Sequence, residues 1–246
     1  MISSRNRNVR DPMNQPPFVL RWDGVTAPVP RVAVRGGRKP AGFVPAPGWI
    51  DTGPVGQPFD FCASMSALVE DVARHVPEFA HLDTTRMAFT FTQARNTSLH
   101  GLQARVTPLR FQAGQLRKHS RGLPWQVQRF LIDGREILYV VSFCLPRFFD
   151  RDFDDKFVTV FHELYHISEA FDGDLRRHGG RYSIHTHSQK QYDQSMAGLA
   201  REYLMQNPRP MLYEFLRLNF AQLQHRHGRV LGLKLPRPQL LPLRKA

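Results

Sequence analysis

Phe157-Val158-Thr159-Val160-Phe161-His162-Glu163-Leu164-Tyr165-His166-Ile167-Ser168 is the stretch around which the rest of the chain is organised. Its apolar residues recur at helical spacing, and His162 and His166 stand four apart, which on a helix places both imidazoles on one face about one turn from each other. Glu163 follows the first His directly and projects beside the pair. The pattern is H-E-x-x-H, in which two His bind zinc and the Glu handles a proton of the metal-activated water. The competing interpretation is a core pair of hydrogen-bonded His with a structural carboxylate. Glu163 among apolar neighbours argues against it, because a buried carboxylate needs a partner.

A catalytic zinc site commonly has three protein ligands and an open position. A metzincin pattern requires Gly and His three and six residues after His166, where this chain has Glu169 and Asp172. A gluzincin requires a Glu on a second helix, and no Glu lies between Glu169 and Glu202. The next stretch reads Phe171-Asp172-Gly173-Asp174-Leu175-Arg176-Arg177-His178-Gly179-Gly180. Gly173 is suited to ending the helix and turning the chain back, and the Gly pair permits close backbone approach. His178 is the expected third ligand, with His185 and His187 as alternates or as groups behind the ligands. Asp193 is a candidate partner for a ligand imidazole. Arg181, Tyr182 and Tyr192 are candidates for holding a developing oxyanion. Arg176 and Arg177 suit a solvated charge cluster with Asp172 or Asp174.

With these residues in view, the segment His162-Glu163-Leu164-Tyr165-His166-Ile167 followed by Gly173-Asp174-Leu175-Arg176-Arg177-His178 resembles phage and archaeal zinc metallopeptidases. These are small zincin-like proteins distantly similar to SprT-like proteases. The close match covers roughly residues 153–195. The resemblance implies one Zn²⁺ per chain on His162, His166 and His178, a catalytic role for Glu163, and a protein or peptide substrate.

The chain has 246 residues and a formal net charge of +13. Residues 1–50 hold eight Lys/Arg against two Asp, and residues 228–246 hold five Lys/Arg and no acid. The expected organisation is therefore a basic Pro/Gly-rich N-terminal arm (1–55), a catalytic body (56–227) and a basic C-terminal tail (228–246). Basic ends suit an anionic partner such as nucleic acid. They support a second reading, a non-catalytic nucleic-acid- or assembly-binding protein whose zinc site only holds the fold. The two Cys, Cys62 and Cys144, have no metal or redox spacing, and no secretory or membrane-spanning segment is evident, so a cytoplasmic location with no membrane partner is expected.

Phe61, Met65, Leu68, Val72 and Val76 predict a helix over 59–77, stopped at Pro77. Met87–Thr92 alternates as a half-buried strand. Residues 104–111 read as a strand that Pro108 confines to an edge or a bulge. Trp125–Ile132, Asp133-Gly134 and Arg135–Phe143 predict one long hairpin. A charged loop over 145–155 leads to the motif helix, whose N-terminus carries Asp154 and Asp155. Two further helices are expected over 188–206 and 209–226. The order implies an α+β domain of zincin-like type, a small antiparallel or mixed sheet with an H-E-x-x-H helix and C-terminal helices.

Overall fold

Tyr139–Leu145 is apolar at nearly every position, and the sequence can satisfy that only by covering both faces of the strand. In the computed structural model, which describes residues 19–21, 31–36, 39–94, 98–177 and 189–243, this segment is the middle strand of a mixed three-stranded sheet. The fold is α+β. Its strands are β1 (Val19–Arg21), β2 (Arg31–Ala33), β3 (Phe59–Asp60), β4 (Met87–Gln93), β5 (Ala104–Pro108), β6 (Arg117–Ser120), β7 (Leu123–Val127), β8 (Arg129–Ile132), β9 (Arg135–Ile137), β10 (Tyr139–Leu145), β11 (Val230–Leu233) and β12 (Leu240–Pro242). Its helices are α1 (Phe61–His75), α2 (Phe153–Tyr165), α3 (Gln189–Met205) and α4 (Phe220–His227). No helix among the described residues is long and apolar enough to cross a membrane.

In the central sheet β10 pairs in parallel with β4 and antiparallel with β5, which is an edge strand, as Pro108 requires. Met87 to Phe91 are all buried rather than alternating, because α1 covers one face of β4 and a smaller apolar cluster with Phe130 and Ile137 lies against the other. Helix α1 follows its expected course. Asp60 caps it by accepting from the Ala63 N–H, and it ends where Val76 turns extended before Pro77. Its face of Phe61, Met65, Leu68, Val69 and Val72 is buried. Strand β11 crosses below, and Gly232 is required there, since a Cβ would lie 2.9 Å from the Phe91 ring and 3.0 Å from Cys62 Sγ.

The long hairpin predicted over 125–143 forms only in its centre. Asp133 and Gly134 both have positive φ, 50° and 75°, and join β8 to β9. Either arm then changes sheet. Gln128 is buried and bonds the backbone of Gln239, so β7 pairs with β6 and β12 instead of continuing the hairpin. Leu138 donates to Arg86 O and accepts from Leu109 N, which transfers the chain from β9 into β10. The loop before the motif helix is less a charged linker than a core element, since Phe148 and Phe149 are fully buried. The helix expected over 209–226 is interrupted by two 3-10 turns, and α4 begins only at a capping box between Asn219 and Gln222.

Parts of both basic ends lie on the body. Strands β2 and β11 pair, Val34 is buried, and Arg31 pairs with Asp60. Val230 and Leu233 belong to the core, so this portion of the expected basic tail is a structural strand.

Lys156 is a buried cation on α2. Its Nζ donates to Leu216 O (2.8 Å) and Leu218 O (2.9 Å), capping carbonyls that the broken helix leaves unpaired. Burial pushes its pKa down from 10.5 to about 8, against the opposing pull of Asp150 and Asp152. The unfolded chain therefore binds more protons between about pH 8 and 10.5, so the cost of the buried charge is full below pH 8 and is relieved as pH rises through that window. Lys156→Met is expected to lose about 1–3 kcal/mol at pH 7.5 through the orphaned carbonyls. Wild type should gain further on the variant at pH 9.5, and urea unfolding at the two pH values checks both effects.

Candidate metal centre

Helix α2 is built so that one side enters the core and the adjoining side borders a cleft. Phe157, Val160, Phe161 and Leu164 are buried, in helical register with Lys156. Val158, Thr159, His162 and His166 line a cleft of about 1070 Å³ between α2, the edge strand β5 and the start of α3. The two imidazoles lie with ring centroids 4.8 Å apart and planes at 70°. The helix ends at Tyr165, but His166 keeps helical angles (φ −68°, ψ −17°), which preserves the one-turn relationship.

Glu163 lies between core and cleft. It is buried, and its Oε2 accepts the Val106 N–H at 2.7 Å. That N–H lies on the side of β5 that β10 does not occupy, so a free edge donor and a buried carboxylate satisfy each other. Burial pushes the Glu163 pKa up to about 7, with the Val106 hydrogen bond and the Arg105 charge pulling the other way.

Gly173 does not stop the motif helix. The helix ends eight residues earlier because the chain folds back on itself and satisfies the helix terminus from outside. Arg176 N donates to His166 O at 2.7 Å, Ser168 N donates to Asp174 O, and Ile167 bridges Leu175. Gly173, at φ +89°, makes the return turn possible, and a Cβ there would lie 2.5 Å from Arg110 Cγ. Tyr139 on β10 anchors the turn, donating to Asp174 O and accepting from Gly173 N. Arg177 pairs with Asp174, one of the pairings expected from sequence, while Arg176 pairs with Glu169 and lies over the Tyr165 ring.

Helix α3 closes the other side. Asp193 Oδ1 is 3.5 Å from His162 Nδ1. Tyr192 presents its ring edge-on to His162, at 4.8 Å and 87°, and its hydroxyl donates to the His162 carbonyl at 3.4 Å. Burial pushes the Tyr192 pKa upward, reinforced by Tyr165 and Glu163.

The structure thus brings together His162, Glu163, His166, Tyr192 and Asp193. His178, Arg181, Tyr182, His185 and His187 lie outside the described residues, and among the described ones no third His, Cys, Asp or Glu completes a metal-holding group. The role of Val106 and the nearness of Arg105 were not anticipated. Pro108 marks the strand as an edge, but nothing local in the sequence says which helix that edge meets. Comparison with known proteins gives no further guide: no family model, no curated protein and no solved structure matches this chain.

Val106→Pro deletes the donor without touching the ladder to β10 and is expected to cost about 1–3 kcal/mol. In a Glu163→Ala background the same change should cost clearly less, and a double-mutant cycle from urea unfolding measures the coupling.

Proposed function

We propose that this chain is a zinc-dependent metallopeptidase of zincin type that hydrolyses peptide bonds. The observation that carries the reading is the face of α2: two imidazoles one turn apart open to one cleft, with a buried carboxylate set between them and an edge strand. The donor set fits zinc. Asp193 beside His162 Nδ1 favours the tautomer with the proton on that nitrogen, leaving Nε2 as the ligating atom. Two neutral imidazoles with a third nitrogen donor suit zinc better than hard cations. His178 is the proposed third ligand. It follows Arg176 by two residues in sequence, and the Arg176 N–H is bonded to the His166 carbonyl. His185 and His187 are the alternates. The resemblance to phage and archaeal metallopeptidases, and more distantly to SprT-like proteases, points the same way.

When bound, Zn²⁺ supplies Lewis acidity toward the scissile carbonyl and lowers the pKa of a water to about 7. The protein contributes the rest. Asp193 and Tyr192 fix the His162 ring. Glu163 takes the proton of the attacking water and passes it to the leaving amine. Its elevated proton affinity suits both halves of that transfer near neutral pH. The β5 edge offers main-chain groups to an extended peptide lying in the cleft. The Tyr192 hydroxyl, a candidate for the oxyanion from sequence, instead donates to the His162 carbonyl, which leaves Arg181 and Tyr182, outside the described residues, as the candidates.

Elemental analysis of wild type purified without chelator is expected to give about one zinc per chain, lost in His162→Ala and in His178→Ala. Zinc retained in His178→Ala moves the third ligand to His185 or His187. Glu163→Gln should keep the metal and lose peptide hydrolysis by about 10²–10⁴-fold. Undiminished hydrolysis in that variant defeats the mechanism.

A further inference from the structure

Basic charge is not confined to the two ends. Between Asp83 and Asp133 the chain has no carboxylate and eight Lys or Arg. Three of the eight are tied to one residue: Arg110 and Arg129 pair with the Glu136 carboxylate, and Arg86 donates to the Glu136 carbonyl. Three others, Arg117, Lys118 and Arg121, lie on a single protruding element. This is the antiparallel ribbon of β6 and β7, joined by a turn in which Arg121 and Gly122 have φ of 51° and 75°.

Every residue from Arg117 to Gly122 is exposed, and none of the three cations forms an ion pair among the described residues. Register places Lys118 directly opposite Trp125, with Pro242 of β12 on the far side of the Trp, and paired residues share a face. Trp125 is only half-buried, and its indole N–H donates to the Ser120 carbonyl at 3.2 Å, which holds the ring along the ribbon beside the Lys. At the root of the ribbon a groove of about 280 Å³ runs between β5 and the segment leading into β12. It is flanked by Arg105 and Arg237, with no carboxylate in its lining.

An ordinary solvated face interleaves both signs of charge. An acid-free edge strand, with Lys118 beside a fixed, partly open aromatic ring on one face, Arg117 on the opposite face and Arg121 at the turn, is what a flexible polyanion with stackable rings can wrap: phosphates against the cations, a base against the aromatic. A membrane surface fits less well, because the ribbon tip is Ser120-Arg121-Gly122 and carries no apolar anchor. We propose that the β6–β7 ribbon binds single-stranded nucleic acid, with Arg117, Lys118 and Arg121 on the phosphates and Trp125 under a base. The proposal is independent of the metal and differs from binding by the basic ends.

The test uses the full chain and fluorescence anisotropy with a labelled oligothymidylate of about twenty nucleotides, long enough to cover one such surface. The ribbon variant R117E/K118E/R121E is compared with R201E/R209E/R229E, which reverses three exposed cations elsewhere and changes net charge equally. The ribbon variant should bind at least tenfold more weakly than this control. Its slope of log affinity against log salt should be shallower by about 2 than that of wild type, the value for three lost single-strand phosphate contacts. Trp125→Ala should weaken binding by about tenfold with the slope unchanged. Lys118→Glu alone, at an exposed position, gives the same direction if circular dichroism shows the triple variant misfolded. Equal losses in the two triple variants, no oligonucleotide binding by wild type, or binding only to phosphatidylserine vesicles would each overturn the proposal.

Discussion

A carboxylate on a helix accepts the N–H of an edge strand, and the arrangement around it follows from that bond. Glu163 could not stay beside the core without a donor, and the outer N–H of Val106 has no strand to pair with. Joining them sets how far α2 stands from β5 and how it is rotated. Lys156 performs the opposite service two turns earlier, donating into carbonyls at 216 and 218. The helix is therefore fastened by a buried anion toward one end and a buried cation toward the other, about 10 Å apart along its axis. With its rotation fixed in this way, His162 and His166 have only the cleft to face.

The second constraint is the reversal after His166. A helix that continued to Gly173 would carry the following residues away from the imidazoles. Instead the returning backbone takes up the His166 carbonyl, and the hydroxyl of Tyr139, in the middle strand, holds the turn. The site is thus referenced twice to the central sheet, through Val106 on its edge and through Tyr139 in its centre. Helix α3 adds the aromatic edge of Tyr192 and the carboxylate of Asp193. Tyr192 meets both imidazoles, edge-on to His162 and tilted 6.3 Å from His166, so a single residue of α3 bounds the pair.

Much of this was legible in the sequence wherever the information is local. The motif helix, α1 with its stop at Pro77, the edge character forced by Pro108 and the Asp133-Gly134 turn all follow from spacing or from single residues with restricted backbones. What was not legible depends on partners distant in sequence. Nothing in residues 125–143 announces that Gln128 and Leu138 will hand each arm of the hairpin to another sheet, because the deciding bonds come from Gln239, Arg86 and Leu109. The helix end at Tyr165 was misplaced for the same reason: the groups that replace its last hydrogen bonds come from the returning chain. Val106 was invisible as a site residue because its contribution is a main-chain N–H, which carries no signature in residue type.

The pairing of β11 with β2 and β3 bears on how the protein is made. A ribosome delivers Phe59 and Asp60 about 170 residues before Val230 and Leu231, their partners, an interval on the order of 10–30 s. Throughout that time the apolar surface of α1 that β11 later covers, around Cys62, stays open beside Phe91. Nascent chains of this protein therefore pass through a period in which the core lacks one of its own walls, and closure depends on a strand made about 170 residues after the one it pairs with. Substitutions in β11 would for that reason be felt first in the yield of folded protein and only afterwards in the stability of what has folded.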